Sequence, residues 1–265
     1  MAHKSSKNAK ILRSIRYDGA TSPMKDENQI ILVDKPAGIS SFGVVAKVRG
    51  YLKNEFGHKI KVGHTGTLDP FATGLLILLT GKNTKKSNEF LKLDKIYEAT
   101  LKLGFISSTG DPEGQIQTFL VEDISEPGKA RIRAFSPVAT GENDPCPKLS
   151  NVEFALSSFI GTITQTPPRF SAIKINGERA YKLARKGQDF EIPSRKVEIY
   201  SINILNYNYP ELKIRVHCSS GTYIRTLAED IGKKLNTGAY LTELRRIKIG
   251  DYDIKDALPL SHFTK

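Results

Sequence analysis

The chain carries at residues 63–74 its densest run of chemically active side chains, Gly63-His64-Thr65-Gly66-Thr67-Leu68-Asp69-Pro70-Phe71-Ala72-Thr73-Gly74. Glycines permit close backbone approach and unusual dihedral angles, and Pro70 biases Asp69 towards an extended conformation. A carboxylate on such a loop, just before an apolar segment, could act as a nucleophile or a base. The alternative is that Asp69 and the threonines cap the next segment and bind turn amides, and local physics alone favours that capping role.

The segments around this loop alternate between strand and helix patterns. An apolar run from Gln29 predicts a buried strand, and Ser40-Ser41 before apolar residues at helical spacing predicts a capped helix that ends near Gly50 or one turn later. Further patterns predict strands at 97–103 and 212–218, and helices that begin near Val152 and after Tyr223. The predicted fold class is therefore α+β, with a mixed, mainly antiparallel sheet flanked by helices.

Length and composition limit the class of protein. The 265 residues correspond to one large domain, and the formal net charge of +12 suggests a polyanionic partner such as nucleic acid. Without an 18-residue apolar run or a signal segment, we expect a cytoplasmic protein that does not enter a membrane. We predict a basic, mobile tail over 1–28, and a single catalytic domain over 29–265 with a peripheral loop insertion at about 122–150, which is rich in Pro, Gly, Ser and Asn.

Two common chemistries lack their motifs. The glycines of the loop do not have dinucleotide-binding spacing, and no glycine-rich loop ends in the Lys-Ser/Thr pair of a triphosphate site. The five histidines are scattered, and the two cysteines, Cys146 and Cys218, have no clustered partner. We therefore expect no metal site and no disulfide framework.

Two later segments also concentrate reactive side chains. In Val216–Leu227 a strand turns into a helix with Tyr223 and Arg225 at the junction. Cys218 with His217 resembles a thiol–base pair, but neighbours on a strand face opposite ways, so we predict that Cys218 is a packed core thiol. In Pro167–Gly187, Phe170 and Tyr181 alternate with basic residues; the segment either binds RNA or is a solvated helix face, and both readings stay open.

These segments together resemble the TruB family of RNA pseudouridine synthases, from about Ile31 to Ala257. The loop is similar to the family signature GHTGxLDPxATGxL. Further similar motifs occur in the family's order: Asp34-Lys35-Pro36 with Gly38 and Ser40-Ser41; Lys95-Ile96-Tyr97-Glu98-Ala99; Ser171-Ala172-Ile173-Lys174 with Gly177 and Tyr181; Cys218-Ser219-Ser220-Gly221-Thr222-Tyr223-Ile224-Arg225; and Leu244-Arg245-Arg246. The resemblance reverses the preference for a capping role of Asp69.

The resemblance implies the pseudouridine synthase fold and an isomerase that flips a uridine out of RNA and rebuilds it as the C-glycoside, without cofactor or metal. Asp69 is then the essential carboxylate, which either attacks C1′ or removes the C2′ proton. The implied substrate is tRNA, bound through its T-stem-loop and modified at position 55, and we expect a monomer. The resemblance further assigns substrate-binding residues: Arg225 paired with Asp69, Tyr97 stacked on the uracil, Tyr223 and Leu244 lining the pocket, His64 where the base leaves its stack, Arg246 near phosphate or the pocket, and Lys35 under the active-site floor.

The sequence departs from the family pattern in three places. Bacterial members usually carry a PUA-type RNA-binding domain after the body, whereas this sequence ends about twenty residues after Arg246. Ser108 occupies a position where the family commonly has Asp. The 122–150 insertion is about twenty residues longer than expected. If the accessory domain is missing, the basic surface is expected to carry more of the RNA affinity.

Overall fold

The computed structural model describes residues 26–123, 131–134 and 146–264. The chain divides into two compact units, one made of Met1–Leu93 with Arg246–Lys265 and the other of Asp94–Arg245. The single catalytic domain over 29–265 stays a prediction. The tail over 1–28 lies outside the described residues except for its last three. No helix in the described part of the chain is both long and apolar enough to span a membrane.

The helices and strands of these residues are as follows. The α-helices are α1 Ser41–Phe56, α2 Ser87–Leu91, α3 Leu149–Ser157, α4 Ala180–Arg185 and α5 Ile224–Lys234. The strands are β1 Ile30–Lys35, β2 Val62–His64, β3 Thr73–Thr80, β4 Lys95–Leu103, β5 Phe105–Ser107, β6 Ile116–Thr118, β7 Leu120–Asp123, β8 Arg131–Ala134, β9 Gly161–Gln165, β10 Lys174–Ile175, β11 Glu178–Arg179, β12 Arg195–Asn208, β13 Glu211–Cys218, β14 Ala239–Ile249, β15 Tyr252–Asp253 and β16 Leu258–Pro259.

The first unit is built around β3, which is buried along almost its whole length. It pairs antiparallel with both β1 and β2, while the short β16 adds to β1 in parallel. Its alternate side chains enter two apolar clusters. Leu76 and Leu78 pack with the buried face of α1, and the opposite face of β3 packs with Phe90 and Tyr252 through Leu75, Ile77 and Leu79. A strand buried on both faces reads as a continuous apolar run, as the 73–79 segment does.

Helix α1 begins where the sequence predicts. The Ser40 hydroxyl accepts a hydrogen bond from the Gly43 N–H at 3.0 Å, as an N-cap residue does. The helix passes the exposed Gly50 and ends at Phe56, because Gly57 then adopts the left-handed conformation with φ 76°. The end thus lies slightly beyond the predicted one.

The second unit is an antiparallel sheet in the order β4-β13-β12-β9, with β14 beside β4. In β4 the alternate residues on one face of the strand are all buried, namely Tyr97, Ala99, Leu101 and Leu103. Three two-stranded hairpins, β5–β6, β7–β8 and β10–β11, accompany this sheet. The β7–β8 pairing falls on the predicted insertion, most of which lies outside the described residues. Mostly antiparallel strands with flanking helices confirm the predicted α+β class.

Candidate active site

The loop that carries Asp69 is fixed by a buried serine on α1. The Ser41 hydroxyl donates to the Leu68 carbonyl at 2.9 Å and accepts from the Leu68 N–H at 2.8 Å. Ser41 is 2% exposed and Leu68 4%, so both bonds lie in the interior, where unmade hydrogen bonds are costly. Asp69 follows directly and is half-buried, and its carbonyl accepts from the Ala72 N–H at 3.1 Å. Its carboxylate therefore projects from a backbone that is held on both sides.

Lys35 holds the other end of this loop. It is fully buried at the end of β1, and its Nζ donates to the carbonyls of Pro36 at 2.8 Å, Ile39 at 2.7 Å and Pro70 at 3.1 Å. The Pro70 carbonyl also accepts from the Gly38 N–H at 2.9 Å. Three carbonyl partners satisfy the three donors of an ammonium group. Lys35 therefore ties the end of β1 to the Asp69 loop, and its place under an active-site floor stays a prediction.

Arg246 occupies an interior position in the first unit. It is 1% exposed, and its guanidinium donates to the carbonyls of Leu75 at 2.8 Å and Gly66 at 3.1 Å. The backbone of Arg246 also lies against Gly74, where an added Cβ would come within 2.3 Å of the Arg246 carbonyl oxygen. Gly74 has φ +104°, so both dihedral and space demand glycine there. Arg246 thus braces both sides of the Asp69 loop, and its approach to RNA stays a prediction.

His64 ends β2, two residues before the first glycine turn of the loop. It is half-buried, and its Nδ1 accepts from the Gly66 N–H at 3.4 Å. The neighbouring Thr65 is fully buried, and its N–H donates to the Ile77 carbonyl of β3 at 3.0 Å. His64 is thereby placed at the point where the rigid sheet gives way to the loop.

In the second unit, Arg225 lies on the first turn of α5 and is 4% exposed. It forms an ion pair with Asp111 at 3.1 Å, and its two terminal nitrogens donate to the carbonyls of Thr109 at 3.1 Å and Phe170 at 2.9 Å. Asp111 also accepts from the Thr109 hydroxyl at 2.6 Å and the Glu113 N–H at 3.1 Å. Arg225 is therefore rigidly oriented, and its pairing with Asp69 stays a prediction.

The predicted substrate-binding residues Tyr97, Leu244 and Tyr223 also belong to this unit. Tyr97 on β4 and Leu244 on β14 are each 8% exposed. Tyr223 precedes α5, and its backbone exchanges two hydrogen bonds with the buried amide of Gln165, at 3.1 Å and 3.3 Å. The Arg195 guanidinium lies over the Tyr223 ring, 4.8 Å from its centroid. The Arg195 cation thus contacts one face of the Tyr223 ring, and the Gln165 amide holds the Tyr223 backbone.

The outcome for Cys218 and His217 follows their alternation on β13. Cys218 is fully buried, and burial raises the pKa of its thiol to about 12. His217 instead pairs with Asp94 and packs against Tyr200 with ring centroids 4.7 Å apart. The prediction of a packed core thiol is confirmed.

The basic segment at 167–187 forms the β10–β11 hairpin and the short helix α4. Some of its cations have partners within the chain: Arg169 pairs with Asp189 at 3.2 Å and Lys186 with Glu178 at 2.8 Å. Arg185 lies over the Tyr181 ring, 5.8 Å from its centroid. Other cations of the segment, such as Lys174 and Lys182, are exposed, and both readings, an RNA contact and a solvated helix face, stay open.

The structure brings together Lys35, the Asp69 loop, His64 and Arg246 in the first unit, and places Tyr97, Tyr223, Arg225 and Leu244 in the second. Sequence reasoning missed the supporting residues Ser41, Asp111, Gln165 and Arg195. Across the described ranges no three His, Cys, Asp or Glu side chains are grouped as metal ligands.

Comparisons with known proteins show the family of this chain. The family model of the TruB family pseudouridylate synthase N-terminal domain matches residues 53–152 and 137–224, and that of the tRNA pseudouridylate synthase B C-terminal domain matches residues 225–265. A relative named tRNA pseudouridine synthase B from Phocaeicola vulgatus is 45% identical over 239 residues, which cover 89% of this chain and 92% of the relative. The protein of the same name from Flavobacterium johnsoniae is 43% identical over 240 residues, 89% of this chain and 95% of the relative.

A similar fold occurs in a crystal structure of a Cbf5-Nop10-Gar1 complex. The superposition has a TM-score of 0.59 at 25% identity and covers 89% of this chain. This chain spans 53% of the length of that one, about half. The predicted pseudouridine synthase fold is confirmed. The family model matches more than half of the chain, and the relatives are similar over nearly their whole length. The chain therefore belongs to the TruB family of pseudouridine synthases.

Proposed function

We propose that this chain is a tRNA pseudouridine synthase that isomerises the T-loop uridine at position 55, with Asp69 as its catalytic carboxylate. The observation that carries the proposal is the fixation of the Asp69 loop, whose flanking backbone is held by Ser41 and Lys35. A carboxylate that must meet C1′ of a flipped nucleotide gains rate from being positioned in advance. The relatives named tRNA pseudouridine synthase B support tRNA as the substrate.

The roles of the other residues follow from what they offer a detached base. A uracil out of its stack needs an apolar or aromatic face to lie on, and Tyr97, Tyr223 and Leu244 provide such faces. Arg225 keeps Asp69 ionised and oriented, and His64 holds the opened RNA. Arg246 and Lys35 hold the loop. In this proposal the enzyme works as a monomer in the cytoplasm and needs no metal or cofactor.

The decisive experiment incubates the full chain with a T-stem-loop RNA and with unmodified full-length tRNA, and maps pseudouridine by carbodiimide treatment and primer extension. We expect product at the T-loop uridine with both RNAs. Asp69→Asn should abolish product, whereas Asp256→Asn, a change at an exposed carboxylate of the same unit, should leave the rate unchanged. Product formation by Asp69→Asn would refute the role of Asp69, and absence of product at the T loop would refute the substrate.

Two alternatives have distinct outcomes in the same experiment. A protein that binds or folds tRNA without catalysis would retain the RNA but yield no pseudouridine. An enzyme for ribosomal or messenger RNA would modify those RNAs and leave the T-loop uridine intact. The hydrogen bonds that fix the Asp69 loop within the first unit favour catalysis over a scaffold role, because binding alone does not require a carboxylate positioned in advance.

A further inference from the structure

Helix α1 presents to solvent a stripe of residues that the candidate active site does not use. The stripe consists of Phe42, Ala46, Arg49, Gly50 and Lys53, at the spacing of one helix face. Phe42 is 65% exposed, Arg49 is half-buried and the other three are exposed. We call these five residues the α1 stripe. The opposite face of the helix is the one buried in the core.

The aromatic and cationic members of the α1 stripe are arranged together. The Arg49 guanidinium lies 5.9 Å from the centroid of the Phe42 ring, within the range of a cation–π contact. Arg49 also donates through Nη2 to the Val62 carbonyl at 3.4 Å, which ties it to β2. The outer face of the ring stays open to solvent. A single exposed apolar residue is ordinary, but here the ring is supported from one side by an anchored cation.

The α1 stripe borders the candidate active site within the same unit. Ser41, which precedes Phe42, holds the backbone of Leu68 next to Asp69. Val62, which accepts from Arg49, lies two residues before His64 on β2, roughly 7 Å along an extended strand. The residue before Phe42 and the strand residue that Arg49 binds thus both belong to segments that hold or lead into the Asp69 loop.

The charge of the stripe selects among partners. It contains two cations and no acid, and the first turn of α1 has no acidic residue. A Cβ added at Gly50 would meet nothing within 4 Å, so a backbone can approach the helix closely there. An apolar protein partner would need a continuous hydrophobic face, which one phenylalanine among cations and small residues does not offer.

We propose that the α1 stripe is a second RNA contact, in which a base next to the target uridine stacks on Phe42 and its phosphate binds Arg49. The inference rests on the proposed function, because it takes the bound RNA to be the substrate. Aromatic rings hold unstacked bases by their π-face, and arginine binds the adjoining phosphate. The stripe would thus hold the RNA in place while the target base is rotated.

The test measures binding and chemistry separately in the full chain. Filter binding gives the Kd for the T-stem-loop RNA, and single-turnover assays at saturating RNA give the rate. We expect Phe42→Ala to raise the Kd about 5- to 150-fold, the range of one stacked base, with a saturating rate within about twofold of wild type. Phe42→Trp should restore tight binding. Arg49→Ala should lower the slope of log affinity against log salt by about one unit.

The control variant is Phe154→Ala, which removes a phenylalanine that is 74% exposed on α3. It should leave the Kd unchanged. An unaltered Kd for Phe42→Ala overturns the proposal, and so does an equal loss of affinity in Phe42→Ala and Phe154→Ala. A slower saturating rate of Phe42→Ala at unchanged Kd overturns it as well. Wild-type product formation reports on the proposed function separately. If the wild type binds the RNA and forms product while Phe42→Ala behaves identically, only the inference about the stripe fails.

Discussion

Removal of the Asp111 carboxylate should destabilise the fold more than any comparable surface change. Asp111 is 3% exposed and its ion pair with Arg225 spans 3.1 Å, with both side chains 4% exposed. Breaking a buried pair by removing one partner costs about 3–5 kcal/mol. The carbonyls of Thr109 and Phe170 continue to bind the guanidinium. We therefore expect Asp111→Ala to lower the free energy of unfolding by about 3 kcal/mol, near the lower end of that range.

The assay is urea unfolding followed by far-UV circular dichroism, since the chain has no tryptophan. The matched control is Asp189→Ala, which breaks an Asp–Arg pair of nearly the same length, 3.2 Å, but with Asp189 97% exposed. Exposed pairs contribute little because water and salt screen them, so this control should not shift the midpoint measurably. If both variants shift the midpoint equally, burial does not determine the strength of the Asp111 pair and the reasoning is wrong.

Three further predictions address stability and reactivity. Gly74→Ala should lower the free energy of unfolding by about 3 kcal/mol or more, because its Cβ would overlap the Arg246 backbone at positive φ. In thermal unfolding the control Gly50→Ala should be neutral or stabilising. Equal melting temperatures for the two variants would contradict this. Burial raises the pKa of Glu229, so its contribution to stability is present below the unfolded pKa and is lost as pH rises through the folded one. Glu229→Gln should therefore gain stability relative to wild type between pH 4 and 7.5, and a constant difference would refute it. At pH 8 the native Cys218 thiol, buried and with a pKa of about 12, should resist iodoacetamide while the half-buried Cys146 reacts, as read by peptide mass mapping; rapid labelling of Cys218 would contradict its burial.

The elements with clear patterns could be predicted from the sequence. Alternation located β4 and β13, and the serine pair located the start of α1. The end of α1 was less certain, because Gly50 is a poor helix former but faces open solvent, where its cost is small. The actual signal was Gly57, whose left-handed conformation ends the helix. Two nearby glycines cannot be distinguished without knowing which one faces solvent.

The roles of the candidate site residues stay predictions, whereas the structure shows the partners that hold them. Motif resemblance selected Asp69 and Arg225, but local physics favoured a capping role for Asp69. Asp111, the partner of Arg225, lies more than a hundred positions away in sequence. Ser41 and Lys35 lie 27 and 35 positions from the loop carbonyls that they bind. Only the folded sheet brings such distant segments into contact, so no local pattern could have located them. The three carbonyls around Lys35 could not be predicted either, because every residue type has the same backbone carbonyl.

The paired hydrogen bonds between Ser41 and Leu68 restrict what can stand at position 41. The Ser41 hydroxyl oxygen both donates and accepts a hydrogen bond. It thereby satisfies the N–H and the carbonyl of Leu68, as a neighbouring strand would. Alanine can do neither, a carboxylate only accepts, and an ammonium only donates. Threonine keeps the hydroxyl but adds a methyl group where only 2% of the residue is exposed. Serine alone therefore satisfies both the hydrogen bonds and the available space. A substitution at position 41 would first alter the placement of Asp69, because Leu68 precedes it directly.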